Sequence, residues 1–122
     1  MKLLYKYKAK VLRVVDGDTI DVLVDLGFDT FKKERLRLYG IDTPECRTRN
    51  LKEKEKGLAA KAFVIDKICD KEIMISTEEK GKFGRYLALV YYKHDSNDGL
   101  YVCLNEELVE EGYAKRYLGG KR

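Results

Sequence analysis

Residues 16 to 19 read DGDT and residues 42 to 45 read DTPE. Asp16, Asp18, Asp42 and Glu45 therefore stand in two short acidic knots, each with a turn-forming residue, Gly17 or Pro44. Carboxylates this close in sequence repel one another unless something positive holds them together. As metal ligands, Asp16, Asp18 and Asp42 would make a hard oxygen site, suited to calcium or magnesium and poorly suited to zinc or copper. Taken one at a time, DGDT also reads as an Asx turn around Gly17, and DTPE as a proline turn opened by Asp42.

Two arginines add to the acidic knots. Arg37 lies one strand end before Asp42, and Arg85 stands in KFGR at the start of another strand. Phosphodiester hydrolysis passes through a five-coordinate phosphorus carrying extra negative charge. It needs a Lewis acid, a base near the attacking water and fixed cations. The aspartates, Glu45 and the two arginines supply that set.

These residues need a scaffold, and the patterning provides one. Tyr5, Tyr7, Ala9 and Val11 alternate with lysines, and Ile20, Val22, Val24 and Leu26 alternate with Asp21, Leu23 and Asp25, so both stretches read as half-buried strands with DGDT as the tight connection between them. Leu36 and Leu38 form the inward face of a third strand, with Arg35 and Arg37 on its other face. From about Glu53 to Cys69, the spacing of Leu58, Ala62, Ile65 and Cys69 predicts an amphipathic helix with Lys54, Lys61 and Lys67 toward water. KEIMIS and RYLALVYY return to strand character on either side of TEEKGKFG. Asn105 is expected to cap a short helix through Val109, and Gly112 to end it. Five short strands broken by one helix suit a small closed OB-type barrel better than a doubly wound sheet.

The chain's 122 residues, 44% hydrophobic and 38% charged, are the size of one ordinary domain, and no apolar run approaches the length of a membrane span. Cys46, Cys69 and Cys103 are odd in number and widely spaced, which argues against a disulfide framework or a zinc site and for a reducing compartment. The opening MKLLYKYKAKVLRVV lacks the continuous apolar stretch of a secretory signal, so a cytoplasmic protein is expected, with a secreted mature form as the alternative. The formal charge of +4 permits a polyanionic partner without requiring one.

VLRVVDGDTI, RLRLYGIDTPE, KGLAAKAFV, KFGRYLALVY and LNEELVEEGYAK together resemble the staphylococcal nuclease (thermonuclease) family, in order and over nearly the whole chain. The resemblance implies an α+β, mainly β domain over residues 1–122: a five-stranded OB-type barrel with one central helix and one or two short C-terminal helices. It implies a calcium-dependent phosphodiesterase, with calcium preferred to magnesium, that cuts single-stranded or locally unpaired DNA and RNA and leaves 3′-phosphates. Carried onto matching positions, the calcium ligands are Asp18, Asp42 and the backbone carbonyl of Thr43, with Asp16 in support. Glu45 takes the place of the residue proposed as general base, and Arg37 and Arg85 those of the phosphate-binding arginines. Lys82 and Phe83 stand where the family has a phosphate-contacting Lys-Tyr, so a tyrosine hydroxyl is missing. Tyr117 is near a base-stacking position, and packing against the barrel accounts for it equally well. The expected protein is a monomer with no membrane partner. The rival functions are a non-catalytic OB-fold module that binds nucleic acid, and a protein-interaction domain.

Several other residues are set aside. Asp95, Asn97 and Glu106 mimic an EF-hand loop, but Leu100 sits where that loop needs Gly. His94 lies in a polar loop. Arg35 shares a face with Arg37 and reads as a solvated or nucleic-acid-contacting charge. The run RTRNLKEKEK reads as a solvated loop or a substrate-guiding arm.

Overall fold

The computed structural model describes residues 5–77, 86–93 and 99–117. Strand β1 (Tyr5–Asp16) turns through Gly17 and Asp18 into β2 (Thr19–Asp25), and β2 pairs with β3 (Phe31–Leu38), giving an antiparallel meander. The other edge of β1 pairs with β5 (Glu72–Thr77), and β5 pairs with β6 (Tyr86–Lys93). The sheet closes where β3 and β6 run parallel, with Leu36 opposite Tyr86 and Leu38 opposite Ala88. This five-stranded barrel, mixed in direction and carrying two helices among the described residues, is the α+β, mainly β architecture expected from the sequence. Three shorter strands complete it: β4 (Ile41–Asp42) pairs with β8 (Lys115–Arg116), and β7 (Tyr101–Cys103) extends the sheet beside β6.

The period-2 pattern is realised because one face of each long strand looks into the barrel. Val11, Ile20, Val22, Leu36, Ile73, Ile75 and Val90 are all buried there. Tyr5 and Leu26 depart from the expected alternation: both are exposed, and β2 ends at Asp25. The three cysteines are free thiols. Among the described residues no helix is long and apolar enough to cross a membrane.

Helix α1 (Leu51–Ile68) begins two residues earlier than expected, because the Asn50 side chain accepts hydrogen bonds from Lys52 N and Glu53 N. The last six residues of the run RTRNLKEKEK are thus helical, of which Leu51 and Lys52 lie outside the helix expected from about Glu53. The helix also buries a different face. Leu58 and Ile65 are exposed, and the core side is Gly57, Ala60, Val64 and Ile68. The sequence carries two apolar stripes on neighbouring faces, and close packing selects the one with small residues. A Cβ on Gly57 would lie 2.5 Å from the carbonyl oxygen of Glu45, so a face of larger side chains could not approach.

Helix α2 (Leu104–Glu110) holds the second correction. Asn105 is not its cap, since the N-cap is Cys103, which makes no side-chain cap bond. Asn105 is instead almost fully buried, donating to the carbonyls of Tyr39 (2.8 Å) and Ala88 (3.1 Å) and accepting from Val90 N (3.0 Å). Its amide ties α2 to β6 and to the end of β3, adding a second donor at the Ala88 carbonyl, which also accepts from Tyr39 N. Gly112, at φ 81°, ends the helix as expected.

Asn105→Ala should strand Val90 N–H and lower stability by about 3 kcal/mol, within the usual cost of unsatisfied buried groups. Asn105→Asp should cost at least as much at neutral pH, because a carboxylate would face two carbonyl oxygens. Urea melts read both values, and an Asp variant as stable as the parent would show that the two donor bonds contribute nothing.

Candidate active site

Three segments meet at one end of the barrel. The β1–β2 turn brings Asp16 and Asp18, the end of β3 brings Arg37, and the stretch from β4 onward brings Asp42, Thr43, Pro44 and Glu45. Cross-strand register puts Thr19 opposite both Asp16 and Arg37, so the turn and the arginine share one face. Leu38 N donates to the carbonyl of Asp18 (2.8 Å), which carries the β3 pairing into the turn. Together with Thr19, these residues line a polar pocket of about 180 Å³.

Arg37 is the hub of the pocket. Its Nη1 lies 2.7 Å from Asp18 Oδ2, and its Nη2 lies 3.3 Å from Asp42 Oδ1 and donates to the carbonyl of Ile41 at 3.2 Å. The side chains of Arg37 and Asp18 are only 14% and 12% exposed, so the pair is largely desolvated and its attraction is strengthened. Asp18 is further fixed at both oxygens: Thr43 N donates to Oδ2 (3.1 Å) and the Thr19 hydroxyl to Oδ1 (3.1 Å). The opening repulsion between carboxylates is thus offset in part by a fork that touches two of them. Glu45, at the rim, is exposed.

The structure brings Asp16, Asp18, Arg37, Asp42, Thr43 and Glu45 together. Tyr117 lies in a small adjoining pocket that Arg37 also lines, and its backbone N donates to the carbonyl of Gly40 (2.8 Å). Arg85, Lys82, Phe83 and His94 fall outside the described residues, as do Asp95 and Asn97. Arg35, on the same face as Arg37, is bound elsewhere, in a two-pronged pair with Asp21 at 2.7 and 3.1 Å. That arginine holds the Asp21 carboxyl below its ordinary range.

As a metal centre the donor set is right in kind, since Asp16, Asp18, Asp42 and the Thr43 carbonyl offer oxygen, although the Cys46 thiol lies beside Asp16. Among the described residues, however, no group of three or more His, Cys, Asp or Glu side chains is close enough to hold an ion. The Thr43 hydroxyl is a buried oxygen with no hydrogen-bond partner among the described residues, facing the turn where Gly17 sits.

Sequence reasoning missed the residues that position the site. Helix α1 presses Gly57 against the backbone of Pro44 and Glu45, and Ala60 against Gly17, where an added Cβ would come within 2.9 Å of the Ala60 Cβ. The signal was a glycine in mid-helix, where it costs about 1 kcal/mol relative to Ala and so calls for a packing reason. Cys46 carried no such signal. It is buried beside Asp16, and burial first, then a hydrogen bond to the Asp16 carboxylate, push its thiol above the ordinary value.

A closed five-stranded barrel with an arginine and carboxylate pocket at the β1–β2 turn defines an OB-type domain. Residues 35–121 match the family model described as staphylococcal nuclease homologue. The chain is 33% identical to a thermonuclease of Staphylococcus hyicus over 87% of its own length and 57% of that protein's. It is 31% identical to a micrococcal nuclease of Shigella flexneri (93% and 61%) and 34% identical to an uncharacterized protein of Methanocaldococcus jannaschii (92% and 60%). The chain belongs to the staphylococcal nuclease family. It spans about 60% of the length of these curated relatives.

Gly57→Ala tests the close approach. Helix propensity alone would favour Ala by about 1 kcal/mol, whereas overpacking against the Glu45 carbonyl should give a net loss of about 1–3 kcal/mol. A urea midpoint higher than that of the parent would mean that helix and loop are not pressed together.

Proposed function

We propose that the chain is a metal-dependent endonuclease that hydrolyses phosphodiester bonds of DNA or RNA. The observation that carries this reading is the pocket in which Asp16, Asp18, Arg37, Asp42, Thr43 and Glu45 converge, with Arg37 forked between two carboxylates. Family membership supports it, since relatives of this chain are a thermonuclease and a micrococcal nuclease.

The roles follow from the chemistry of each group. Asp18, Asp42 and the Thr43 carbonyl, with Asp16 in support, would hold a calcium ion. That ion would supply Lewis-acid polarisation of a phosphoryl oxygen. Arg37 presents a planar fork to the developing charge, and Arg85, by family resemblance, is its counterpart. Glu45, exposed at the rim, orients or deprotonates water. Lys82, Phe83 and Tyr117 are assigned to substrate contact by the same resemblance. The domain acts as a monomer on unpaired strands and yields 3′-phosphates.

Cleavage of single-stranded DNA should occur with calcium and stop in excess chelator. Undiminished cutting in chelator would remove the metal from the mechanism, and binding without cutting in either condition would leave a non-catalytic module. Arg37→Lys keeps the charge but loses the fork. The expected loss is about 3 kcal/mol at the transition state, on the order of a hundredfold in rate.

Asp18→Ala should abolish cutting in a folded protein. Paired thermal melts then separate ligand from turn: calcium with a nucleotide should raise the wild-type midpoint far more than the variant's. Equal shifts would mean that Asp18 only shapes the turn.

A further inference from the structure

The pocket is one end of a longer ladder. Successive cross-strand rows on the outer face of β1, β2 and β3 are Asp16–Thr19–Arg37, Arg13–Asp21–Arg35, Lys10–Leu23–Lys33 and Lys8–Asp25–Phe31. Beyond the site row, this face carries five cations and two carboxylates, an excess of positive charge close to the +4 of the whole chain. Both carboxylates are already engaged: Asp21 is held by Arg35 and also feels Arg13, and Asp25 Oδ1 accepts from Gly27 N at 2.8 Å. Lys8, Lys10, Arg13, Lys33 and Arg35 are all exposed.

The spacing and the far end of the ladder also fit one kind of ligand. Rows two residues apart are separated by about 6.8 Å along the strand. That is about twice the 3.4 Å axial step per phosphate of a stacked strand. A strand placing one nucleotide on each row of this face would be extended, with its bases unstacked. Phe31, at the last row, is 54% exposed, and Phe28 at the hairpin tip is fully exposed with φ 55°, a conformation unusual for a bulky residue. Exposed aromatic faces beside a basic row are what unstacked bases bind.

We propose that the outer face of β1–β2–β3 is a track for single-stranded nucleic acid. Phosphates would lie over the Arg13/Arg35 and Lys10/Lys33 rows and a base on Phe31, and the strand would run into the pocket at Arg37. The proposal rests on the nuclease reading for its direction toward the pocket, and its binding surface can be tested separately.

The test is fluorescence anisotropy of labelled dithymidylate and hexathymidylate in chelator, so that nothing is cut, over a salt series. The proteins are wild type, Lys10→Ala/Lys33→Ala and Phe31→Ala, each checked for its fold by circular dichroism. Wild type should bind the hexamer far more tightly than the dimer. The double lysine variant should bind the hexamer about tenfold more weakly, and its salt slope should fall by about 1.4, at about 0.7 for each phosphate that is no longer neutralised. Phe31→Ala should also bind about tenfold more weakly, with its slope unchanged, as stacking predicts. Affinities and slopes equal to wild type in both variants would overturn the track. A parallel cleavage assay of the wild type with calcium keeps the two ideas apart. Cutting without any effect of the variants removes the track and leaves the nuclease, whereas the expected binding pattern without cutting keeps the track and removes the nuclease.

Discussion

The contact on which this structure depends is the approach of helix α1 to the two acidic turns. Gly57 and Ala60 have almost no side chain, and that absence lets the helix backbone settle against Pro44, Glu45 and Gly17. Each turn is short and polar and would wander if left alone in water. Pressed under a helix whose far end is anchored by the buried Val64 and Ile68, they become fixed points. The side chains of Asp16, Asp18, Thr43 and Glu45 then inherit the rigidity of the core, which is what a site that must hold reacting groups in place requires.

Within that frame, Arg37 solves an electrostatic problem. Two carboxylates from segments far apart in sequence are drawn out of water, and desolvation opposes their ionised forms unless a counter-charge sits between them. A guanidinium can do so in one plane, reaching Asp18 with one nitrogen and Asp42 and the Ile41 carbonyl with another. The backbone amide of Thr43 and the hydroxyl of Thr19 complete the shell of Asp18. Most polar groups here pair with one another, the Thr43 hydroxyl being an exception among the described residues, while the apolar side of the same strands fills the barrel.

Much of this was legible in the chain because antiparallel strands with one wet face write their burial as strict alternation, and the acidic knots announce themselves by sheer local charge. The convergence of DGDT, Arg37 and DTPE on one pocket was readable for the same reason. The facing of helix α1 was not. Leu58 and Ile65 are larger and more apolar than Gly57 and Ala60, and periodicity weighs size, whereas the barrel surface demanded closeness. Asn105 misled in a similar way: at a helix start an Asn suggests a cap, and only the tertiary structure reveals that its amide reaches the Tyr39 carbonyl and Val90 N. Strands β4, β7 and β8, of two or three residues, are too short to carry any period.

The parallel seam between β3 and β6 also governs how the molecule assembles. Both pairings in the meander β1–β2–β3 join neighbours in sequence, so that unit can form quickly from local contacts. The seam joins Leu36 to Tyr86, and some fifty residues of intervening chain must first be gathered before it rewards the search. Until then β3 and β6 remain open edges, the form in which strands recruit those of other molecules. Crowded synthesis would therefore expose the chain to mispairing mainly in the interval before the seam closes.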